Sequence, residues 1–225
     1  MRPALVLFFL IFLPAHALAA RGIALYDQLQ NSVVTVQGLT PTAPSDGKIG
    51  MFSSTGAGVI LDGNGIIATN THVIYGAQYI QVILKTGEKL NAAVLYIATS
   101  DDVSLLRITP THPLTPIVWA DSDLARLNDE VITLGHSEWL KSTISGGHIR
   151  AIGIHENDPL KTPEFLELDI NHYQGDSGGP VFTRSGAFLG LMNAKRTLED
   201  RACLVVPSNK VHFAYLNLAH PSQNR

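Results

Sequence analysis

Cysteine is the first scarcity. Cys203 is the only one in 225 residues, so no internal disulfide framework can staple the fold. A chain of this length must hold itself together by burying a core, and it is long enough to do so. Cys203 lies in the apolar run Cys203-Leu204-Val205-Val206, which reads as a buried, inert thiol rather than a reactive one. Charge is also scarce. Asp, Glu, Lys and Arg make up 16% of the residues and the formal net charge is −3, which leaves no electrostatic case for a nucleic-acid partner. There is no His-Glu-x-x-His and no cysteine pair, so neither a metal site nor a cofactor is expected. Beyond the first residues, no apolar run is long enough to cross a bilayer.

The first twenty residues are different. Arg2 gives a positive start, Ala4 to Leu13 is unbroken apolar sequence, Pro14 interrupts it, and Ala17-Leu18-Ala19 supplies a small-x-small pattern. This reads as a secretory signal, residues 1–19, cut after Ala19 with Ala17 or Ala20 as alternatives. An uncleaved anchor is the competing reading. The expected mature protein is exported to a bacterial periplasm or medium, with no membrane attachment after cleavage.

The rest alternates short apolar stretches with turn residues. Ile23 to Gln30 has the spacing of a short amphipathic helix, and Ser32 to Gln37 that of a first strand. Thr40 to Phe52 reads as a long loop. Asp62-Gly63-Asn64-Gly65 marks a turn between the apolar strands of a hairpin that runs from Thr55 to Ile74. Tyr79–Leu84, Ala92–Ile97 and Val103–Ile108 follow as strands. Thr109 to Pro116 carries three prolines and reads as a connecting segment, with His112 a solvated residue in it. Glu130–Leu134, Thr143–Ile154, Phe165–Ile170, Pro180–Thr183, Ala187–Asn193 and Cys203–Val206 continue the series. A helix begins at Pro207-Ser208-Asn209, with Val211, Phe213, Ala214, Leu216 and Leu218 as its apolar positions. The fold class is all-β, and short strands at this spacing argue for barrels.

The stretch that carries chemistry is Gly175-Asp176-Ser177-Gly178-Gly179-Pro180. A serine hydroxyl is a poor nucleophile unless a base takes its proton and amide donors hold the oxyanion it creates. The glycines permit a tight turn in which N–H groups along Gly175, Asp176 and Ser177, those of Gly175 and Ser177 above all, point at one spot. A base is available in Ala68-Thr69-Asn70-Thr71-His72, just after the apolar run Ile66-Ile67-Ala68. A carboxylate to orient that base is available in Ser100-Asp101-Asp102-Val103. Asp102 and Asp101 compete for that role. Asp102, next to the apolar strand, is preferred, and Asp101 is then a solvated turn residue. The chain order His72, Asp102, Ser177 is that of chymotrypsin-type proteases.

On these stretches the chain resembles the trypsin-like serine proteases, most closely the bacterial HtrA/Deg branch. The resemblance runs through GAGVILDGNGIIATNTHVI, DDVSLLRI, TISGGHIRAI, ELDINHYQGDSGGPVF and VVPSNKV, from about Gly22 to His220. It implies two six-stranded antiparallel β-barrels and a short C-terminal helix within a protease domain of residues 20–225. The first barrel is expected over about 22–108, a linker over 109–116, and the second barrel with the helix over 117–222, with the site in the cleft between. It implies an exported serine endopeptidase acting on protein or peptide substrates through an acyl-enzyme. The alternative is a catalytically weak or inactive protein of the same fold that binds unfolded peptides or a partner.

The chain departs from the pattern in three ways. Asp176 stands where HtrA proteins usually carry Asn, and without an Ile-Val-Gly-Gly start it must find a partner of its own. No PDZ domain is expected after the protease-like region. Leu191-Met192-Asn193 stands where glutamyl endopeptidases carry a histidine. The resemblance places Asn171, His172, Gln174, Asn193 and Ala194 around the pocket for the residue before the cut bond. An amide floor at Asn171 gives Lys or Arg no partner, so cleavage after Val, Ala, Leu or similar neutral residues is expected. A protonated His172 would favour an acidic residue instead, and a His172 facing solvent would do neither.

Overall fold

The structure is a computed structural model that describes residues 24–42, 50–137, 140–155, 164–195 and 201–219. The signal segment, residues 43–49 of the expected loop and His220 lie outside the described residues. Residues 24–29 form a first helix, α1, followed by a 3-10 turn at Gln30–Ser32. Thirteen strands follow among the described residues. In the first half they are β1 (Val33–Thr42), β2 (Gly50–Ile60), β3 (Ile66–Thr69), β4 (Tyr79–Ile83), β5 (Lys89–Asn91), β6 (Ala93–Ala98) and β7 (Val103–Arg107). The one-turn helix α2 (Thr71–Ile74) lies between β3 and β4. The second half contains β8 (Glu130–Ser137), β9 (Leu140–Ile154), β10 (Phe165–Leu168), β11 (Pro180–Thr183), β12 (Phe188–Lys195), β13 (Cys203–Pro207) and the helix α3 (Ser208–Ala219).

The second half is a closed barrel in the order β10-β13-β12-β11-β8-β9, all pairs antiparallel. This is the expected six-stranded unit. The first half differs: it is a seven-stranded sheet in the order β5-β4-β1-β2-β3-β7-β6. The strand division falls at Ala92, whose N–H still donates to the Ile80 carbonyl at 2.9 Å in register with the β4–β5 ladder, after which the chain pairs with β7. One extended segment is thereby divided. Its first part pairs with β4 and its second with β7, so the two edges of the sheet are joined through a single residue. The sheet curls on itself, as right-handed strand twist requires. The expected long loop at Thr40–Phe52 is also corrected. The β1–β2 ladder runs on through Thr40↔Phe52, Pro41↔Met51 and Thr42↔Gly50, because a two-stranded ribbon tolerates proline at an outer position.

Strands β3, β7, β10, β11 and β13 are mostly apolar because both of their faces are buried. Adjacent residues feed different cores. Val34, Ile60, Ile67, Val82 and Leu106 fill the first unit, and Val131, Ile149, Leu168, Val181 and Val205 fill the second. The alternate residues Val59, Ala68, Leu105, Phe182, Leu191 and Val206 form a third cluster at the seam between the two. Cys203 is buried in the second core, and burial pushes its thiol pKa up.

Helix α3 clamps the seam. Ser208 Oγ donates to the Ala120 carbonyl at 2.8 Å and Asn209 Nδ2 to Asp121 Oδ1 at 2.7 Å. Farther along, Lys210 Nζ pairs with Asp101 at 3.0 Å and Tyr215 OH donates to Asp62 Oδ2 at 3.2 Å. Asp101 is therefore an ion-pair partner of the helix rather than a merely solvated turn residue. Val211 and Ala214 are buried, whereas Phe213 and Leu216, also expected on the apolar face, are exposed. The segment between the two halves is held at both ends. Leu114 N–H donates to Gly63 and Ile117 N–H to Ile60, while Ala120 N–H donates to Phe188.

Candidate active site

His72 sits on α2, immediately after the fully buried strand β3. A one-turn helix is not stable alone, and three bonds pin it. Thr71 N–H donates to the Asp102 carbonyl at 3.3 Å, Thr71 Oγ1 meets the buried Ser104 Oγ at 2.9 Å, and Ser54 Oγ donates to the Val73 carbonyl at 2.7 Å. Asp102 is held as firmly. Its backbone takes the left-handed region, φ 52°, which Asp tolerates better than most residues. The carbonyl exposed by that turn accepts from the buried Asn70 Nδ2 at 3.0 Å. This aims the side chain back at the histidine. Asp102 Oδ2 lies 2.6 Å from His72 Nδ1, and Oδ1 accepts the His72 backbone N–H at 2.9 Å. The bidentate hold fixes both the position and the ring orientation of His72. Asp102, not Asp101, makes this pair.

Ser177 comes from the other unit, in the turn before β11. Gly175 and Gly178 both take positive φ, 99° and 79°, which a side chain would oppose. Gly178 also has no room for one: a Cβ there would run into the Ala57 carbonyl and lie 2.5 Å from Thr69 Oγ1. The turn is bonded across the seam by Ala57 N–H to the Ser177 carbonyl at 2.8 Å. It is bonded to its own barrel by Gly178 N–H to the Met192 carbonyl at 2.8 Å and Met192 N–H to Gly179 at 2.7 Å. A Cβ on Gly56 would lie 2.7 Å both from the Ser177 oxygen and from Val73 Cγ2, so the serine turn and α2 meet at that glycine.

Asp176 has found its partner. It is buried, its Oδ2 accepts the Tyr173 N–H at 2.8 Å, and its own N–H donates to the Tyr173 carbonyl at 3.0 Å. Burial holds its carboxyl above the usual range, with the Tyr173 N–H working against that rise. This corrects the expectation for the oxyanion donors. The Asp176 N–H is committed to the loop, whereas no hydrogen bond to another described residue occupies the N–H groups of Gly175 and Ser177.

Asn193 is the residue whose role the sequence hid. Expected as pocket lining, it is buried and its Nδ2 donates to Asp102 Oδ2 at 2.5 Å. Its backbone carbonyl meanwhile accepts from Ser177 Oγ at 3.0 Å. One residue on β12 thus touches both the His72–Asp102 pair and the serine, and the Ser177 hydroxyl is turned toward that carbonyl rather than toward the His72 ring. Nothing local marks Asn193, which lies 91 residues from Asp102. The only available signal was its place on the strand that returns past the serine turn. Of the other expected pocket residues, Asn171 and Gln174 are exposed, Ala194 is partly buried, and the Asn171 amide donates to Tyr173 OH at 3.1 Å. His172 is partly buried, with its Nε2 shielded from solvent and unpartnered. Burial, and secondarily the nearby His72, lower its pKa to about 4. It is neutral at pH 7 and gives an acidic substrate side chain no charge partner.

The profile of the trypsin-like peptidase domain matches residues 56–191, which hold His72, Asp102 and Ser177. The chain belongs to the trypsin-like peptidase family. It is 32% identical over 144 residues to the periplasmic serine endoprotease DegP of Salmonella typhimurium, covering 64% of this chain and 30% of that protein. It is 31% identical over 144 residues to the periplasmic pH-dependent serine endoprotease DegQ of Escherichia coli, covering 64% and 32%. To the putative serine protease HhoB of Synechocystis it is 32% identical over 156 residues, covering 68% and 37%. The matched region is about a third of the length of these relatives. Among solved structures, an HtrA-type protease, AlgW with a decapeptide, superposes with a TM-score of 0.79 at 20% identity, over 89% of this chain and 67% of that one. At that identity the likeness is one of fold.

Proposed function

We propose that this chain is an exported serine endopeptidase that cleaves proteins or peptides through His72, Asp102 and Ser177. The observation that carries the reading is the His72–Asp102 pair, with Nδ1 and Oδ2 2.6 Å apart, next to a serine on a glycine-bounded turn in which two N–H groups make no hydrogen bond to a described residue. In the proposed cycle Ser177 Oγ leaves the Asn193 carbonyl, gives its proton to His72 Nε2 and bonds to the substrate carbonyl carbon. The Gly175 and Ser177 N–H groups receive the oxyanion. Asp102 holds the ring and the charge it acquires. His72 returns the proton to the departing amine, leaving an acyl-enzyme, and water repeats the sequence to release the acid. Export to the periplasm is supported by the signal-like first residues and by the periplasmic DegP and DegQ. Cleavage after neutral residues is supported by the uncharged side chain of Asn171 and the neutral ring of His172.

One observation favours the second reading, a weak or inactive protein that binds peptides: the Ser177 hydroxyl rests on Asn193. A single experiment separates the two. The purified protein is treated with a fluorophosphonate probe and, in parallel, with casein. Labelling and casein cleavage that Ser177→Ala lowers by about 10⁶-fold support the endopeptidase. Folded protein that neither labels nor cleaves refutes it in favour of the binder.

A further inference from the structure

His72, Asp102, Ser177 and Asn193 all have partners at the site, and Tyr173 and Asp176 engage each other. The His172 ring remains. It lies five residues before Ser177, within the electrostatic reach of His72, and its Nε2 is buried without a hydrogen-bond partner. A shielded polar atom left unpaired is costly and uncommon, and at a functional site it marks a place where a ligand completes the bonding. The chemistry fixes which ligand atoms come near. Ser177 attacks the carbonyl of the residue before the cut bond, and that residue's side chain branches from the adjacent carbon. It must therefore lie against the segments flanking Ser177, which are residues 171–175 and the Asn193 end of β12.

We propose that His172 is a specificity-determining residue, and that it recognises on the residue before the cut bond a neutral side chain that both donates and accepts hydrogen bonds. A carboxamide, Gln or Asn, is the best match, with the hydroxyls of Ser and Thr next. This rests on the endopeptidase reading and narrows it. A neutral imidazole carries one N–H and one lone pair, and a carboxamide can meet whichever of them sits on Nε2. An aliphatic side chain leaves the nitrogen unpaired. Among the described residues, Asp102 and Asp176 offer Lys or Arg no free carboxylate, since Asp102 is held by His72 and Asn193, and Asp176 by the Tyr173 N–H. Neither imidazole offers a carboxylate a cation, because His172 is neutral and His72 must be neutral to accept the serine proton.

The test compares kcat/KM on fluorogenic peptides that differ only in the residue before the cut bond: Gln, its near-isostere norleucine, Glu and Lys. Wild type is expected to prefer Gln over norleucine by about tenfold or more, the scale of one buried polar group left unpaired. His172→Leu, which removes both ring nitrogens, is expected to reverse that order, read as the ratio of kcat/KM for the two peptides. If the variant fails to fold, the wild-type ranking alone decides. Norleucine, Glu or Lys ahead of Gln in a wild type that labels overturns the role of His172 and leaves the endopeptidase standing. A wild type that does not label removes both.

Discussion

Asn193→Ala tests how much the carboxylate depends on a donor from the opposite barrel. Asp102 Oδ2 is shared by two groups, His72 Nδ1 at 2.6 Å and Asn193 Nδ2 at 2.5 Å. Alanine removes the second and leaves the Asn193 carbonyl, a backbone group, in place for Ser177. Hydrogen bonds to a charged group contribute about 1.5–3 kcal/mol, so a loss felt in full at the transition state lowers kcat/KM by roughly 10- to 150-fold. A carboxylate relieved of one donor attracts the proton on His72 more strongly, so the acidic limb of the kcat/KM profile moves to higher pH. Packing loss alone would lower activity without moving that limb. Asn193→Asp, nearly isosteric, should be worse than alanine, because it sets a second carboxylate against Asp102. The assay is kcat/KM on one fluorogenic peptide across pH 5–9, a range of about four units around the histidine region, with thermal unfolding of each variant as a control. An alanine variant within about twofold of wild type and with an unmoved limb would mean that the amide contributes nothing to positioning.

Three further outcomes follow from the same geometry. Asp102→Asn should lower kcat by about 10⁴-fold, whereas Asp101→Asn, which breaks a partly exposed pair with Lys210, should cost at most about 1 kcal/mol of stability in urea unfolding and leave kcat nearly unchanged. Gly178→Ala should destabilise by at least about 2 kcal/mol and abolish fluorophosphonate labelling, since it combines positive φ with a clash against the Ala57 carbonyl. The His172 pKa lies near 4 in the fold against 6.5 ordinarily, so the neutral ring favours the fold above pH 6.5 and that contribution is lost as pH falls. Wild type should lose up to about 3 kcal/mol over this window from the one group. His172→Leu should show a correspondingly flatter decline in urea midpoint, and an unchanged slope would refute the burial argument. Asp176, whose carboxyl burial holds above the usual range, acts with the opposite sign in both proteins and cancels from the comparison.

Local sequence was enough for everything that depends on neighbours along the chain. The Asp62–Gly65 turn, the valine-rich start of β1 and the glycines around Ser177 are dictated by φ restrictions and β propensity, which short stretches encode. The identities of His72 and Ser177 followed from the stretches around them and their order, and Asp102 over Asp101 from its place next to an apolar strand. What the sequence could not carry is whatever depends on which strands become neighbours. The division between β5 and β6 at Ala92 exists because the segment must pair with β4 at one end and β7 at the other. Phe213 and Leu216 have apolar spacing but face outward, because the seam accepts only one side of α3. Asn70 has no role legible in the stretch around His72, yet its amide braces the carbonyl of Asp102. Asn193 reads as a pocket residue, yet closure of the second barrel against the first delivers its amide to Asp102 and its carbonyl to Ser177. Strand pairing and side-chain period are local rules; the meeting of residues 91 apart is set only when two separately curled sheets bury their shared apolar seam.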